Sequence, residues 1–167
     1  SSTLSHNENR FDAFYFYGPT LKDILNDYTD ITGKPFMPAL WMLTMGDADC
    51  YNKPEQRVGW KQQTPDVITQ IADKYIEHDM PRGWILPNDG YGCGYVKLDS
   101  VVRELKKRGF YTGLWTENGV DKIAYEVGEC GTRLCKLDVA WVGPGYEFAL
   151  NGTKAAYEGI ENNSNER

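Results

Sequence analysis

Gly83-Trp84-Ile85-Leu86-Pro87 and Phe110-Tyr111-Thr112-Gly113-Leu114-Trp115 are two short, almost solidly apolar runs. Between them lies a stripe at helical spacing, Leu98, Val101, Val102 and Leu105, closed by Gly109 in the position of a C′ residue. An apolar run covered on both faces suits a strand of a parallel sheet, and parallel neighbours need a crossover such as this helix. The stretch reads as one βαβ unit. The same rhythm extends outward in both directions. Upstream, Pro38 leads into Ala39-Leu40-Trp41-Met42-Leu43-Thr44-Met45, a continuous apolar run of strand length. Thr64-Pro65-Asp66 then opens a helix with an N-cap followed by proline at N1, carrying Val67, Ile68, Ile71 and Tyr75 and ending near Asp79-Met80-Pro81. Downstream, 120–127 reads as a helix, 132–141 as a strand and 146–160 as a last helix. Four such units make an α/β fold. They form a partial (β/α)8 TIM barrel, whose whole usually takes roughly 250 residues, or a small open sheet. Parallel strands are expected near 39–45, 83–87, 110–115 and 133–140. No apolar period organises the chain between Met45 and Thr64, so a long irregular loop is expected there.

Ahead of these units, residues 1–10 form a polar, disordered lead and 11–35 a short strand and helix. Phe11 to Tyr17 reads as the strand, closed by Gly18-Pro19. Thr20 is the expected N-cap, with Asp23 in the place of a capping-box acid, and Leu21, Ile24, Leu25, Tyr28 and Ile31 follow at helical spacing up to Gly33-Lys34-Pro35. The half barrel then spans 36–161, and 162–167 is a polar tail.

The 167 residues carry 18 Lys+Arg against 24 Asp+Glu, a net charge of −6, and are 41% hydrophobic. This is a globular composition without the basic excess that phosphate backbones demand, so nucleic acid is not an expected partner. No apolar run approaches the roughly 20 residues of a membrane span, and the first residues lack a signal peptide's apolar stretch. Aromatics reach 13%, a content shared by many sugar-handling proteins, whose rings pack on pyranose faces. Cys50, Cys93, Cys130 and Cys135 form no CxxC and find only His6 and His78 as companions. Reduced thiols are therefore expected, without a zinc site, a disulfide or a cysteine nucleophile. Gly90-Tyr91-Gly92-Cys93-Gly94 does not match GxGxxG, and no Walker GKS/T occurs. No cofactor is called for.

Polar residues cluster where the expected strands end: Asp47 and Asp49, then Asn88 and Asp89, then Thr116, Glu117 and Asn118, and finally Lys136 and Asp138. The carboxyl ends of barrel strands form the active-site face. Asp138 is the sharpest signal, because a carboxylate in an apolar strand costs several kcal/mol to bury unless it is paired or used. Lys136 lies two residues before it, so both side chains share a face. An ammonium beside an ionised aspartate suits a nucleophile, while the competing reading is a structural ion pair. Asp89 reads equally as an Asx-turn residue, Glu117 as a helix-start acid, and Trp41, Trp115 and Trp141 as core rather than sugar platforms. Asp47 and Asp49 lack the further oxygen ligands of a calcium site, so no metal is expected.

Phe14-Tyr15-Phe16-Tyr17-Gly18-Pro19-Thr20, Tyr28-Thr29-Asp30-Ile31-Thr32-Gly33-Lys34-Pro35 and Pro38-Ala39-Leu40-Trp41 together resemble the approach to the catalytic barrel of glycoside hydrolase family 31. Lys136-Leu137-Asp138 looks like that family's K-x-D nucleophile motif, which the related α-galactosidase families share. Asp89 falls where the family holds substrate hydroxyls in subsite −1. The resemblance runs from about Tyr15 to Tyr146 and implies a retaining α-glycosidase acting on an oligosaccharide or glycoconjugate. Asp138 would be the nucleophile, with Asp89, Lys136, Trp41, Trp115, Glu117 and Trp141 binding substrate. Many family α-glucosidases follow the nucleophile with a glycine or asparagine and then a glutamate. Here Val139-Ala140-Trp141 stands instead, which points towards α-linked N-acetylgalactosamine. The family's acid/base aspartate lies on a later strand, so the resemblance implies that the remainder of a parent polypeptide is a partner and that these residues alone do not turn over. A different class stays open, a non-catalytic α/β carbohydrate-binding module.

Overall fold

The computed structural model describes residues 1, 3, 5, 9–48, 61–62, 67–89, 94–95, 97–116, 120–138 and 145–166. They fall into two compact units, Ser1–Met37 and Pro38–Arg167.

The first unit is built on α1 (Leu21–Thr32). Its start is the expected capping box: the Asp23 N–H donates to Thr20 Oγ1 and the Thr20 N–H to Asp23 Oδ2, each at 3.2 Å. Gly33, at φ +79°, closes the helix by donating its N–H to the Thr29 carbonyl at 2.8 Å. The apolar stripe of Leu21, Leu25, Tyr28 and Ile31 is exposed. Phe11 to Tyr17 forms no strand, contrary to the sequence expectation. A strand exists by pairing its N–H and C=O groups with a neighbour, and this unit offers no second strand among its described residues. Phe16 instead meets Tyr28 edge to face, with centroids 5.6 Å apart.

Among the described residues the second unit holds six strands: β1 (Asp47–Ala48), β2 (Lys61–Gln62), β3 (Trp84–Leu86), β4 (Gly94–Tyr95), β5 (Tyr111–Thr116) and β6 (Leu134–Leu137). Four of them form a parallel sheet in the order β1-β3-β5-β6. The connections carry a π-helical turn (Ile68–Ala72) running into α2 (Asp73–Glu77), then α3 (Leu98–Lys107), then a π-helical segment (Ala124–Glu129). The helix α4 (Tyr146–Asn163) comes after β6. The arrangement is mixed α/β and compatible with about four βα units of a partial barrel.

The core lies between helices and sheet. Val67, Ile68, Ala72 and Tyr75 meet Ile85, Phe110, Val101 and Leu105 in one cluster, and Leu98, Val102, Leu114 and Cys130 form a second. All four stripe residues of α3 are buried, and Gly109 takes the left-handed turn (φ +84°) that ends it. Arg108 ties α3 to α2 through Asp73 Oδ1, 2.7 Å from its Nε.

The first strand is a correction. The apolar run over 39–45 does not extend as a strand: Leu40–Leu43 winds into a 3₁₀ turn, and pairing begins only at Asp47, opposite Ile85. Leu40 to Leu43 holds no β-branched residue, so the strand bias of the turn is weak, and its packing decides. Trp41 stacks on Tyr111 at 4.3 Å, and Tyr75 donates its hydroxyl proton to the Gly46 carbonyl at 3.2 Å. The backbone then passes so close to β3 that a Cβ on Gly83 would lie 2.6 Å from the Met45 carbonyl oxygen. Gly83→Ala should therefore push the lead to β1 off the sheet and cost about 1–3 kcal/mol. The check is a lower urea midpoint at unchanged slope.

The interval between Met45 and Thr64 is also more ordered than expected at its described ends, since Lys61–Gln62 pairs in parallel with Gly94–Tyr95. The expected helix opening at Thr64-Pro65-Asp66 lies outside the described residues. The helix read over 120–127 forms later, as the π-helical segment, and the last strand is shorter than 132–141.

Candidate active site

β3, β5 and β6 run parallel, so the residues after each strand arrive at one edge of the sheet. Pro87, Asn88 and Asp89 come directly after β3, and Asp138 directly after β6, whose third residue is Lys136. Three of the expected residues meet there. The Lys136 ammonium nitrogen lies 2.7 Å from Asp89 Oδ1 and 3.7 Å from Asp138 Oδ2. The facing oxygens of the two aspartates are thus no further apart than those distances laid end to end. Sequence spacing paired Lys136 with Asp138, but its shorter contact is with Asp89, 47 residues away in the chain. The Asp89 side chain is only 17% exposed, against 42% for Lys136 and 44% for Asp138, so Asp89 is the most shielded of the three.

The hydrogen bond to Asp89, with the charges of Asp89 and Asp138 adding to it, raises the Lys136 pKa above that of an ordinary lysine. A raised folded-state pKa contributes stability that is complete below the unfolded value, near 10.4, and is lost as pH climbs through the folded one. Lys136→Met should therefore lower the melting temperature at pH 8 but converge on the wild type at strongly alkaline pH. Water screens a half-exposed pair, which limits the difference to about 1 kcal/mol.

Around this triad the sheet is pinned by side chains. Asn88, 5% exposed, donates from Nδ2 to the Trp115 carbonyl at 3.1 Å and accepts from the Trp115 N–H on Oδ1 at 3.0 Å. Thr116 donates its hydroxyl to the Lys136 carbonyl at 2.9 Å. The Lys136 ammonium sits 5.9 Å from the Trp115 ring centroid. Trp115 is itself buried. Trp41 is not brought to the triad, because its partner Tyr111 begins β5, roughly 16 Å of strand rise before the other end. Asp47 lies inside β1 at the level of Ile85, short of Asp89. Glu117, Asn118, Trp141 and Asp49 lie outside the described residues. Asn88, read from sequence only as a polar residue at a strand end, emerges as part of the site's framework. Its signal was an asparagine placed directly after a proline that stops a strand.

A second polar group lies apart from the triad. Tyr95 donates its hydroxyl to Glu126 Oε1 at 2.5 Å, and Glu126 is buried. Cys130 and Cys135 are free thiols, while Cys50 and Cys93 lie outside the described residues. Burial, with Glu126 adding to it, pushes the Cys135 thiol up to about 12. That is the reverse of an activated nucleophile. Iodoacetamide at pH 8 should label Cys135 slowly in the native protein and rapidly in urea, read peptide by peptide. Two concavities, of about 440 and 290 Å³, are lined by Val102, Lys106, Gly131 and Arg133 among others and contain none of the triad.

No family model matches the chain. It is 27% identical over 139 residues to "Alpha-glucosidase 2" of Bacillus thermoamyloliquefaciens, covering 75% of this chain and 16% of the relative. A "Probable glucan 1,3-alpha-glucosidase" of Arabidopsis thaliana is 30% identical over 93 residues, 54% of this chain and 9% of its own length. These relatives are named as alpha-glucosidases. A third, from Saccharolobus solfataricus, matches at 41% over 34 residues, 20% of this chain and 5% of the relative. The likeness supports an alpha-glycosidase relationship, and the chain spans less than a fifth of each of these relatives.

Proposed function

We propose that the chain is the part of a retaining α-glycosidase that carries its nucleophile, Asp138, and its substrate-holding pair, Asp89 and Lys136. One observation carries the reading: an ammonium set between two carboxylates at the edge of a parallel sheet where the residues after successive strands converge. The similarity to enzymes named as alpha-glucosidases supports it. In the proposed reaction a carboxylate oxygen of Asp138 attacks the anomeric carbon as the bond from that carbon to the leaving oxygen breaks. The leaving oxygen takes a proton from a second carboxyl group, which retaining enzymes hold about 5–5.5 Å from the nucleophile. Water, deprotonated by that same group, then displaces Asp138 and frees the sugar with its configuration retained. Asp89, the less exposed aspartate, accepts hydrogen bonds from sugar hydroxyls, and Lys136 orients both carboxylates. By the family resemblance, the acid/base group belongs to a later strand.

The substrate is an α-linked sugar. The names of the relatives make an aryl α-glucoside the first compound to assay, and Val139-Ala140-Trp141 after the nucleophile makes an aryl α-N-acetylgalactosaminide the second. The test of mechanism is trapping. The full-length protein is incubated with a 5-fluoro glycosyl fluoride of the sugar it hydrolyses, digested and mapped. A glycosyl adduct on the peptide containing Asp138 is the expected result. An adduct on another carboxylate, or inverted configuration in the first-formed sugar, overturns it.

A further inference from the structure

β3 stops at Leu86, because Pro87 has no N–H to give to a ladder. Its partner β5 runs on to Thr116. The register pairs Trp84 with Tyr111 and Ile85 with Thr112, and counting on places Asn88 opposite Trp115. There the Asn88 carboxamide, one donor and one acceptor in a plane, takes both backbone groups of Trp115 at 3.1 and 3.0 Å. In a continuing parallel strand the carbonyl of residue 87 and the N–H of residue 89 would offer the same pair. The contact is buried, so no water competes for it. Asp89 is the next residue, and its partner Lys136 is held in register with Trp115 on the other side of β5.

We propose that Asn88 is a positioning residue: its carboxamide stands in for the strand that Pro87 interrupts and thereby sets the spacing of Asp89 from Lys136 and Asp138. It touches neither substrate nor reacting atoms and acts through Asp89. The spacing it sets matters to catalysis only under the glycosidase reading above, but the contact with Lys136 is measurable without any substrate.

The experiment uses the full-length protein with Asn88→Asp, which keeps shape and acceptor but loses the donor, and Asn88→Ala, which loses both. In each variant kcat should fall, on the order of 10²-fold for alanine and less for aspartate, with KM changed little, because the bound sugar is misaligned rather than released. In parallel, an amine-acylating reagent is applied without substrate and lysine labelling is read peptide by peptide. Lys136 should label about threefold faster in the variants, since loosening its contact with Asp89 frees more neutral amine, while Lys22, Lys74 and Lys154 should not change. A variant that only destabilises the protein would also open the Cys135 thiol to iodoacetamide and leave kcat per folded molecule unchanged; that result overturns the proposal. So does unchanged Lys136 labelling in Asn88→Asp, the variant closest in shape to the wild type. Should the wild type hydrolyse no α-glycoside, the glycosidase reading falls, and the labelling arm still decides the role of Asn88.

Discussion

Asp138→Asn in the full-length protein should abolish hydrolysis of the α-glycoside substrate while leaving sugar affinity nearly intact. The substitution keeps shape and volume at a position whose side chain is 44% exposed, so the fold has little to lose. What goes is the oxygen nucleophile and the second carboxylate facing the Lys136 ammonium, 3.7 Å away. Losing covalent catalysis should lower kcat on the order of 10³-fold or more, about 4 kcal/mol at 1.36 kcal/mol per tenfold. Steady-state kinetics with an aryl α-glycoside measures the loss, and calorimetric titration of the inactive variant with free sugar measures the affinity. Activity within tenfold of the wild type removes Asp138 as nucleophile.

Leu105→Ala should have the largest effect on stability. Leu105 is fully buried at the centre of the larger core cluster, where α3 meets Ile85, Phe110 and the helix that carries Val67 and Tyr75. Truncating it removes most of a side chain from a site enclosed by two helices and the sheet, none of which can collapse into the space. The cost should be about 2–5 kcal/mol. A urea melt monitored by circular dichroism should show an early transition, and a loss below about 1 kcal/mol would mean that the interior is not packed as described.

Where the sequence could be read, one kind of signal was enough. The α3 stripe, its Gly109 stop and the flanking runs of β3 and β5 are all local patterns, and each formed where expected. The Thr20–Asp23 cap is local in the same way. The first strand was misplaced because Leu40 to Leu43 has no period to separate strand from tight helix; the contacts of Trp41 with Tyr111 and of Tyr75 with Gly46 settle the matter from far along the chain. Two-residue strands such as Lys61–Gln62 leave no pattern at all. The site shows the same division. Lys136 and Asp138 were legible because residues two apart on an extended chain share a face. β6 nevertheless stops at Leu137 and leaves Asp138 just past its end, half-exposed rather than buried in a strand. The closer bond from Lys136 to Asp89 and the Asn88 clamp on Trp115 depend on the order β3-β5-β6, which no local pattern states. Nothing local sets Glu126, which is buried and accepts from Tyr95, apart from the other polar residues around it.

One ammonium facing two carboxylates makes the triad itself net negative. Ionic strength should therefore sort its ligands. Sugars carrying carboxylate or sulfate groups would meet repulsion and gain affinity as salt screens it. Neutral sugars should bind almost independently of salt. Ring analogues with a protonated amine in place of the ring oxygen should bind most tightly at low salt and weaken as it rises, because a cation there meets two carboxylates at short range.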